Sequence, residues 1–239
     1  RDLHRVDRRQ RQMCIRDSPL SERKLWPCLM ALPIAAYLGY SDKKVSIYWT
    51  PYQKIEITAV DAEPGEYIVN TNNTGFQHIE NNALGLHEAE SKDLALSQYD
   101  IAARFHPQPE EVLIAGTGTG NDLAGLLRRA PTARVVGVEI DPLIAKLGGQ
   151  YHPETPYQNP NVTLLIEDAR AAFHNLKPRT FDLLIMGLLD SHTTPNLSNA
   201  RLDNFVYTQE GLSAAARLLK PTGVMVLSFM RNEIISSRD

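Results

Sequence analysis

After residue 44 the chain carries two different hydrophobic patterns in succession, and they predict two kinds of structure. In the first of these patterns, polar and apolar residues alternate or form short runs that predict antiparallel strands at 52–60, 65–69 and 76–79. The sequence Asn72-Asn73-Thr74-Gly75 tolerates positive φ angles, as the turn of a hairpin requires. We therefore expect a small β subdomain over residues 45–85.

From residue 86 onward the pattern is first helical, and from Glu111 onward it predicts alternating strands and helices. Helical spacing covers 88–105, 121–130, 169–176 and 208–220, and Asp141-Pro142 opens one more helix; apolar runs predict strands at 112–115, 135–138, 162–166, 181–186 and 224–229. Continuous apolar strands separated by helices indicate a parallel sheet covered on both faces. The predicted fold class is α/β, a Rossmann-like nucleotide-binding domain over residues 86–239.

The most specific motif follows the first strand of that domain, where Gly116-Thr117-Gly118-Thr119-Gly120 leads into a helix. Glycines let the backbone turn sharply and approach a ligand with no Cβ in the way. The dinucleotide fingerprint has its third glycine at the sixth position, whereas this loop has it at the fifth. That spacing favours S-adenosylmethionine, a nucleoside without a pyrophosphate. A tight turn that binds no ligand is the alternative.

Acidic residues follow the next two predicted strands. Glu139 ends the second strand, 23 positions after Gly116, where a carboxylate can accept hydrogen bonds from both ribose hydroxyls. Asp168 follows the third strand, where it can accept from an adenine amino group or cap the next helix. Asp141, before Pro142, is predicted as a helix cap. The candidate cofactor-binding residues are Gln53, Gly116, Gly118, Gly120, Asn121, Asp122, Glu139, Ile140, Asp168 and Ala169.

Composition and charge narrow the class of protein. The 239 residues are 43% hydrophobic and 22% charged, enough for one α/β domain with a small appendage. The net charge of −3 gives no sign of a nucleic-acid partner. Cys14 and Cys28 have neither metal-type spacing nor a disulfide framework, so we expect no metal and a reducing compartment, the cytoplasm.

The first 44 residues continue neither pattern. Residues 11–18 resemble translated sequencing-adapter sequence, so residues 1–18 are treated as a non-native artefact; a basic arm that binds nucleic acid or anionic lipid is the alternative. Within 19–44, the uncharged apolar run 25–40 is shorter than the about 20 residues that span a bilayer. It fits the cut end of a membrane helix or a packed soluble helix. We expect the chain to be truncated at both ends.

Several motifs together resemble spermidine synthases and their membrane-linked bacterial relatives. Residues 49–55 are similar to the S-x-Y-Q-x-I strand of that family, and the glycine loop, residues 138–142 and residues 168–170 follow in the family's order. Segments 152–154, 189–193 and 201–208 resemble the membrane-linked branch. The resemblance covers about residues 45–230.

This resemblance implies a fold, a cofactor and some of its contacts. The fold would be that of class I methyltransferases, preceded by a β-hairpin region. The cofactor would be S-adenosylmethionine or its decarboxylated form, contacted by Gln53, Glu139 and Asp168. The hairpin region would mediate a homodimer.

The chain departs from the family where the amine acceptor would bind. Spermidine synthases carry D-x-x-D-P after the fourth strand, and its first aspartate helps to deprotonate the attacking amine. Here Gly187 is at the first position, Asp190 at the second, and Ser191 replaces the proline; the family's Tyr-His-Glu motif is also absent. We take Asp190 and His192 as catalytic candidates, because a carboxylate and an imidazole can each accept a proton. Ordinary loop roles are the alternatives for both.

Three classes of function remain open on the sequence. The first is aminopropyl transfer to a polyamine, and the second is methyl transfer, for which the missing aspartate would be no loss. The third is a non-catalytic module, such as the cytoplasmic domain of a membrane protein that senses adenosyl ligands. A dehydrogenase is a weaker fourth option. The expected partners are a small-molecule amine and, through a segment before residue 41, a membrane.

Overall fold

The computed structural model describes residues 45–60, 65–81, 98–187, 189 and 206–228. The chain divides into two compact units, residues 1–44 and residues 45–239, and all described residues belong to the second unit. The sequence-based assignments for residues 1–18 and 19–44, and the boundary predicted at 85–86, lie outside the described residues.

The first part of this unit is an antiparallel sheet of four strands in the order β1-β2-β3-β4. The strands are β1 (Val45–Trp49), β2 (Lys54–Ala59), β3 (Tyr67–Thr71) and β4 (Thr74–Ile79). Asn72 and Asn73 have φ angles of 51° and 64° in the β3–β4 turn, which confirms the predicted hairpin. The sequence pattern predicts a strand at 52–60 but does not identify β1 as a separate strand. Polar and apolar residues are mixed throughout 45–60, and the turn at 50–53 that divides β1 from β2 has no distinct signal.

Alternation along these strands gives the small sheet one buried face. Ile55, Ile57 and Val69 point inward, where they pack with residues of a helix, Ile144 and Leu147. On the edge strand β1, the opposite face remains exposed and carries Val45, Ile47 and Trp49. The small sheet is therefore held to the rest of the unit through its inner face.

The second part is a five-stranded parallel sheet in the order β7-β6-β5-β8-β9. Its strands are β5 (Glu111–Ala115), β6 (Arg134–Glu139), β7 (Val162–Ile166), β8 (Phe181–Met186) and β9 (Leu219–Leu227). Its helices are α1 (Ile101–Phe105), α2 (Asn121–Arg129), α3 (Pro142–Tyr151), α4 (Ala169–Asn175) and α5 (Gln209–Leu218), with 3₁₀ turns at Gln98–Asp100 and Pro156–Gln158. The strand order reverses between β5 and β8, which is where ligands bind in open α/β sheets.

Both faces of this sheet are buried, as the continuous apolar runs predict. In β5, Leu113 and Ala115 belong to one hydrophobic cluster, together with residues of α4 and α5. Val112 and Ile114 belong to another, together with residues of α1 and α2. The predicted Rossmann-like class I methyltransferase fold, preceded by a small hairpin sheet, is confirmed.

Two boundaries differ from the prediction. Helix α5 ends at Leu218, and β9 already includes Lys220 and the segment 221–223, which the sequence pattern assigns to a helix end and a turn. Pro221 explains why Lys220 is not helical, since a proline disfavours helical backbone at the residue before it. The pairing with β8 shifts register between Phe181 and Leu183, and this irregularity accommodates the segment. Of the helix predicted at 88–105, the described part is a 3₁₀ turn followed by α1.

Within the described ranges, none of the helices is both long enough and apolar enough to cross a bilayer.

Candidate functional site

The glycine loop connects the carboxyl end of β5 to the first turn of α2. Gly116, Gly118 and Gly120 have φ angles of 74°, 55° and 103°, which side-chain-bearing residues rarely adopt. The amides of Gly116 and Thr117 both donate to the carbonyl of Val138, at 2.8 and 3.1 Å. These bonds fix the loop against the end of β6, while the loop itself follows β5, the strand beside which the strand order reverses.

Other parts of the protein pack closely against each of these glycines. A Cβ at Gly116 would meet the side chain of Leu189, and a Cβ at Gly118 would lie 2.7 Å from Oε1 of Gln77. A Cβ at Gly120 would lie 2.8 Å from Pro156. The glycines are thus required by the packing of the protein itself. The case for a ligand depends on the polar groups around the loop.

Glu139 places a buried carboxylate directly at the loop. Its Oε2 accepts from the amide of Gly118 at 2.8 Å, and its Oε1 accepts from the amide of Asp141 at 3.0 Å. Burial raises the pKa of Glu139, while these two backbone N–H groups oppose the shift. A carboxylate can accept about four hydrogen bonds, so acceptor capacity remains for a ligand.

Asp141 links Glu139 to the small sheet. Its Oδ1 accepts from the amide of Leu143 at 3.0 Å, which confirms the predicted helix cap. Its Oδ2 accepts from Thr50 Oγ1 at 2.8 Å and from Gln53 Nε2 at 3.5 Å. Gln53, Asp141, Glu139 and the glycine loop therefore belong to one hydrogen-bonded network.

Asp168 and Ala169 begin helix α4, after strand β7. The Oδ1 of Asp168 accepts from the amides of Arg170 and Ala171, at 3.0 and 3.1 Å, so this aspartate caps the helix. The Asp168 side chain is exposed, whereas Ala169 is buried. β7 pairs with β6 up to Glu139, which brings this helix start beside the loop. The predicted contact of Asp168 with adenine stays a prediction.

Asn121 and Asp122 form the first turn of α2. Nδ2 of Asn121 donates to the carbonyl of His78 at 2.6 Å, which ties the helix to β4. Asp122 is buried, and burial raises the pKa of its carboxyl to about 7. The Cβ that Gly187 lacks would lie 2.9 Å from Oδ2 of Asp122, so this carboxyl sits against the end of β8. The glycine loop, Glu139 and Asp122 thus surround the carboxyl ends of β5, β6 and β8.

Two residues at the site were missed by the sequence analysis. Oε1 of Gln77 accepts from the amide of Thr119 at 3.0 Å and from its Oγ1 at 2.9 Å. The hydroxyl of Tyr157 donates to the carbonyl of Gly118 at 2.6 Å. Gln77 lies on an alternating strand and Tyr157 in a connecting turn, and nothing in the local pattern points either one toward the loop.

The catalytic candidates Asp190 and His192 lie outside the described residues. Ile140 follows Glu139 at the end of β6 and is half-buried. Among the residues that the structure describes, no group of three His, Cys, Asp or Glu side chains is arranged to hold a metal ion.

Curated relatives match the central part of the chain. A polyamine aminopropyltransferase from Pyrobaculum aerophilum is 31% identical over 130 residues, which are 52% of this chain and 43% of the relative. Polyamine aminopropyltransferase 2 from Caldanaerobacter subterraneus subsp. tengcongensis is 30% identical over 118 residues, or 49% of this chain and 40% of the relative. The chain matches about two fifths of the length of these relatives.

Solved structures share the fold. A spermidine synthase in complex with the transition-state analogue AdoDATO has a TM-score of 0.58 and 20% identity, covering 77% of this chain and 57% of that structure. A probable spermidine synthase from Corynebacterium glutamicum has a TM-score of 0.56 and 21% identity, covering 76% of this chain and 62% of that structure.

The family model of the spermine/spermidine synthase domain matches residues 99–234, which is more than half of the chain and includes the glycine loop, Glu139 and Asp168. This chain belongs to the spermine/spermidine synthase family.

Proposed function

We propose that this chain is an aminopropyltransferase domain that binds decarboxylated S-adenosylmethionine and transfers its aminopropyl group to a polyamine. The observation that carries the proposal is the buried carboxylate of Glu139, held against the glycine loop at the point where the strand order reverses. Membership of the spermine/spermidine synthase family supports the choice of reaction. The names of the matched relatives, polyamine aminopropyltransferases, support it further.

The nucleoside end of the cofactor is proposed to lie across the ends of β5, β6 and β7. Glu139 would accept from the ribose hydroxyls with the acceptor capacity that its two backbone bonds leave. Asp168 and the backbone of Ala169 would contact the adenine, next to Ile140. Gln53, the three glycines, Asn121 and Asp122 complete the candidate set from the sequence. Asn121 would act by holding the first turn of α2 in place.

The reaction is a displacement at a sulfonium carbon. The amine nitrogen attacks the methylene group next to sulfur; the C–N bond forms as the C–S bond breaks, and its electron pair stays on the thioether. The cofactor carries the reactivity, and the protein contributes position and electrostatics. Because a polyamine is cationic near pH 7, its attacking nitrogen must first lose a proton. Asp190 and His192 remain the sequence-based candidates to accept that proton.

Calorimetry and a substitution at Glu139 test the cofactor site. The chain should bind decarboxylated S-adenosylmethionine more tightly than S-adenosylmethionine, and Glu139→Gln should weaken binding by about tenfold to a hundredfold, the loss of one charge-assisted hydrogen bond or more. Glu111→Gln is the matched control, since Glu111 lies at the other end of β5. Its affinity should be that of the unsubstituted chain.

Three results would contradict the proposal. Preference for S-adenosylmethionine with methylation of an acceptor would make the chain a methyltransferase. Tight binding without turnover of any amine would indicate a sensing module. No binding of either compound would remove the adenosyl site itself.

Two further expectations from the sequence concern membrane attachment and the pairing of two copies of the chain. We propose that the segment before residue 41 attaches the domain to a membrane, with the site on the cytoplasmic side, and that residues 45–85 pair two copies. The apolar run 25–40 supports the first proposal. The exposed apolar face of β1 supports the second.

A further inference from the structure

Asp122 is a buried acid of the candidate cofactor set to which no particular contact with the nucleoside has been assigned. Its residue is 6% exposed, although it lies in the first turn of a helix that begins directly after the glycine loop. None of the described residues donates a hydrogen bond to its carboxyl. Burying an ionised carboxylate without hydrogen-bond donors or a cation costs free energy. The described residues supply no such partner to Asp122, so a bound molecule is the candidate partner.

The backbone of β8 brings this carboxyl to the reaction edge of the sheet. At Gly187, a Cβ would lie 2.7 Å from the carbonyl oxygen of Gly116 and 2.9 Å from Oδ2 of Asp122. Both distances are too short for real Cβ contacts, so position 187 cannot carry a side chain unless its neighbours move. The carboxyl of Asp122 therefore lies where a side chain at the end of β8 would begin.

We propose that Asp122 is the carboxylate that receives the acceptor amine in this chain and takes the proton from its attacking nitrogen. This inference rests on the proposed aminopropyl transfer, and it moves Asp122 from the cofactor contacts, where the sequence analysis put it, to the acceptor. The ammonium group of the amine is the missing cation. It transfers one proton to the Asp122 carboxylate, and the neutral nitrogen then attacks the sulfonium methylene.

Burial suits Asp122 for this step. With a pKa of about 7, the carboxyl is ionised in a large fraction of molecules at neutral pH. It is also a stronger base than an ordinary carboxylate, and a pKa near the working pH suits a general base. The ionisable groups that face it are Tyr99, on the 3₁₀ turn before α1, and Tyr157, on the turn after α3. Burial raises the pKa of both tyrosines, and the negative charge of Asp122 adds a smaller contribution in the same direction. Neither described group is a cation, so the arriving ammonium meets no competitor there.

The test separates amine binding from nucleoside binding with Asp122→Asn, which keeps the shape and removes the charge. With putrescine as the acceptor, turnover should fall by about a hundredfold to a thousandfold, as for loss of a general base. Affinity for decarboxylated S-adenosylmethionine should change by less than about twofold. The unsubstituted chain should show a rate that rises with pH through about 7, and the variant should lose that rise. Asp182→Asn, at the other end of β8, is the matched control.

A second readout needs no turnover. Putrescine should bind to the chain loaded with the thioether product, and Asp122→Asn should weaken that binding by at least tenfold. Unchanged turnover and amine affinity in the variant, or an amine that does not bind the loaded chain, would overturn the inference. A loss of nucleoside affinity instead would return Asp122 to the cofactor contacts. If the unsubstituted chain binds no nucleoside at all, that result contradicts the proposed function itself, and not only the role of Asp122.

Asp190→Asn in the same assays tests the other carboxylate.

Discussion

The buried side chains of Glu139 and His152 differ in how far hydrogen bonds compensate for their loss of contact with water. Glu139 receives two backbone N–H donors, so its carboxylate is partly compensated for the water it has lost. His152 accepts from the amide of Glu154 through Nδ1 at 3.2 Å, which leaves the proton on Nε2. That Nε2 is buried and has no hydrogen-bond partner among the described residues. Burial and the nearby Arg128 lower the pKa of His152 to about 4.

The shift at His152 predicts a loss of stability in acid. The folded chain keeps this imidazole neutral down to about pH 4, while the unfolded chain protonates it near 6.5. Its contribution is therefore fully present above pH 6.5 and is lost as the pH falls toward 4, by roughly 3 kcal/mol in total. In denaturant titrations at pH 7 and pH 4.5, His152→Gln should lose less free energy of unfolding than the unsubstituted chain. His174→Gln, on an exposed helix position, should behave like the unsubstituted chain; equal losses in all three would refute the assignment.

At the scale of elements, the sequence predicted what depends on local pattern. The parallel strands, the hairpin turn at Asn72 and the cap at Asp141 each follow from periodicity or turn and cap chemistry within a few residues. The contact of Gln77 with Thr119 joins residues 42 positions apart, and it depends on how β4 packs against the loop. No local signal encodes such a contact. The same holds for Asp122, whose burial beside Gly187 follows from the close approach of α2 to the end of β8.

The contact between Gln77 on β4 and the glycine loop predicts that two glycine substitutions will change the free energy of unfolding by different amounts. Gly118→Ala places a methyl group at positive φ, 2.7 Å from the Gln77 amide, and should lower the free energy of unfolding by about 1–3 kcal/mol. Gly149→Ala is the matched control, because Gly149 lies in helix α3 with open space around its Cβ position. It should raise stability by up to about 1 kcal/mol. Denaturant midpoints measure both changes, and a neutral Gly118→Ala would show that this contact is loose.

At the scale of the whole molecule, the two sheets of residues 45–239 are joined by a shared core and by polar bonds around the site. Ile144 is buried, and the cluster in which it lies includes Ile55 and Val69 of the small sheet. Thr50, Gln53, Gln77 and Asn121 add hydrogen bonds across the same joint. The sequence assigned the two sheets to separate domains because their patterns differ, but patterning along the chain carries no information about how strongly two such elements are coupled.

This coupling predicts that the two sheets unfold together. Ile144→Ala should lower the free energy of unfolding by about 2–5 kcal/mol, as buried truncations do, and amide protons in β2, β3, β5 and β8 should all exchange faster, because they report one cooperative opening. Ile101→Ala, at an exposed position of α1, should change stability by less than about 0.5 kcal/mol. If only the amides of β2 and β3 lost protection in Ile144→Ala, the small sheet would open on its own. The loop contact of Gln77 would then be broken in part of the folded molecules, and the nucleoside affinity of the chain would fall with the stability of that sheet. A single unfolding transition, with equal loss of amide protection in β2, β3, β5 and β8, would instead show that the small sheet stays packed against the glycine loop whenever the rest of the unit is folded.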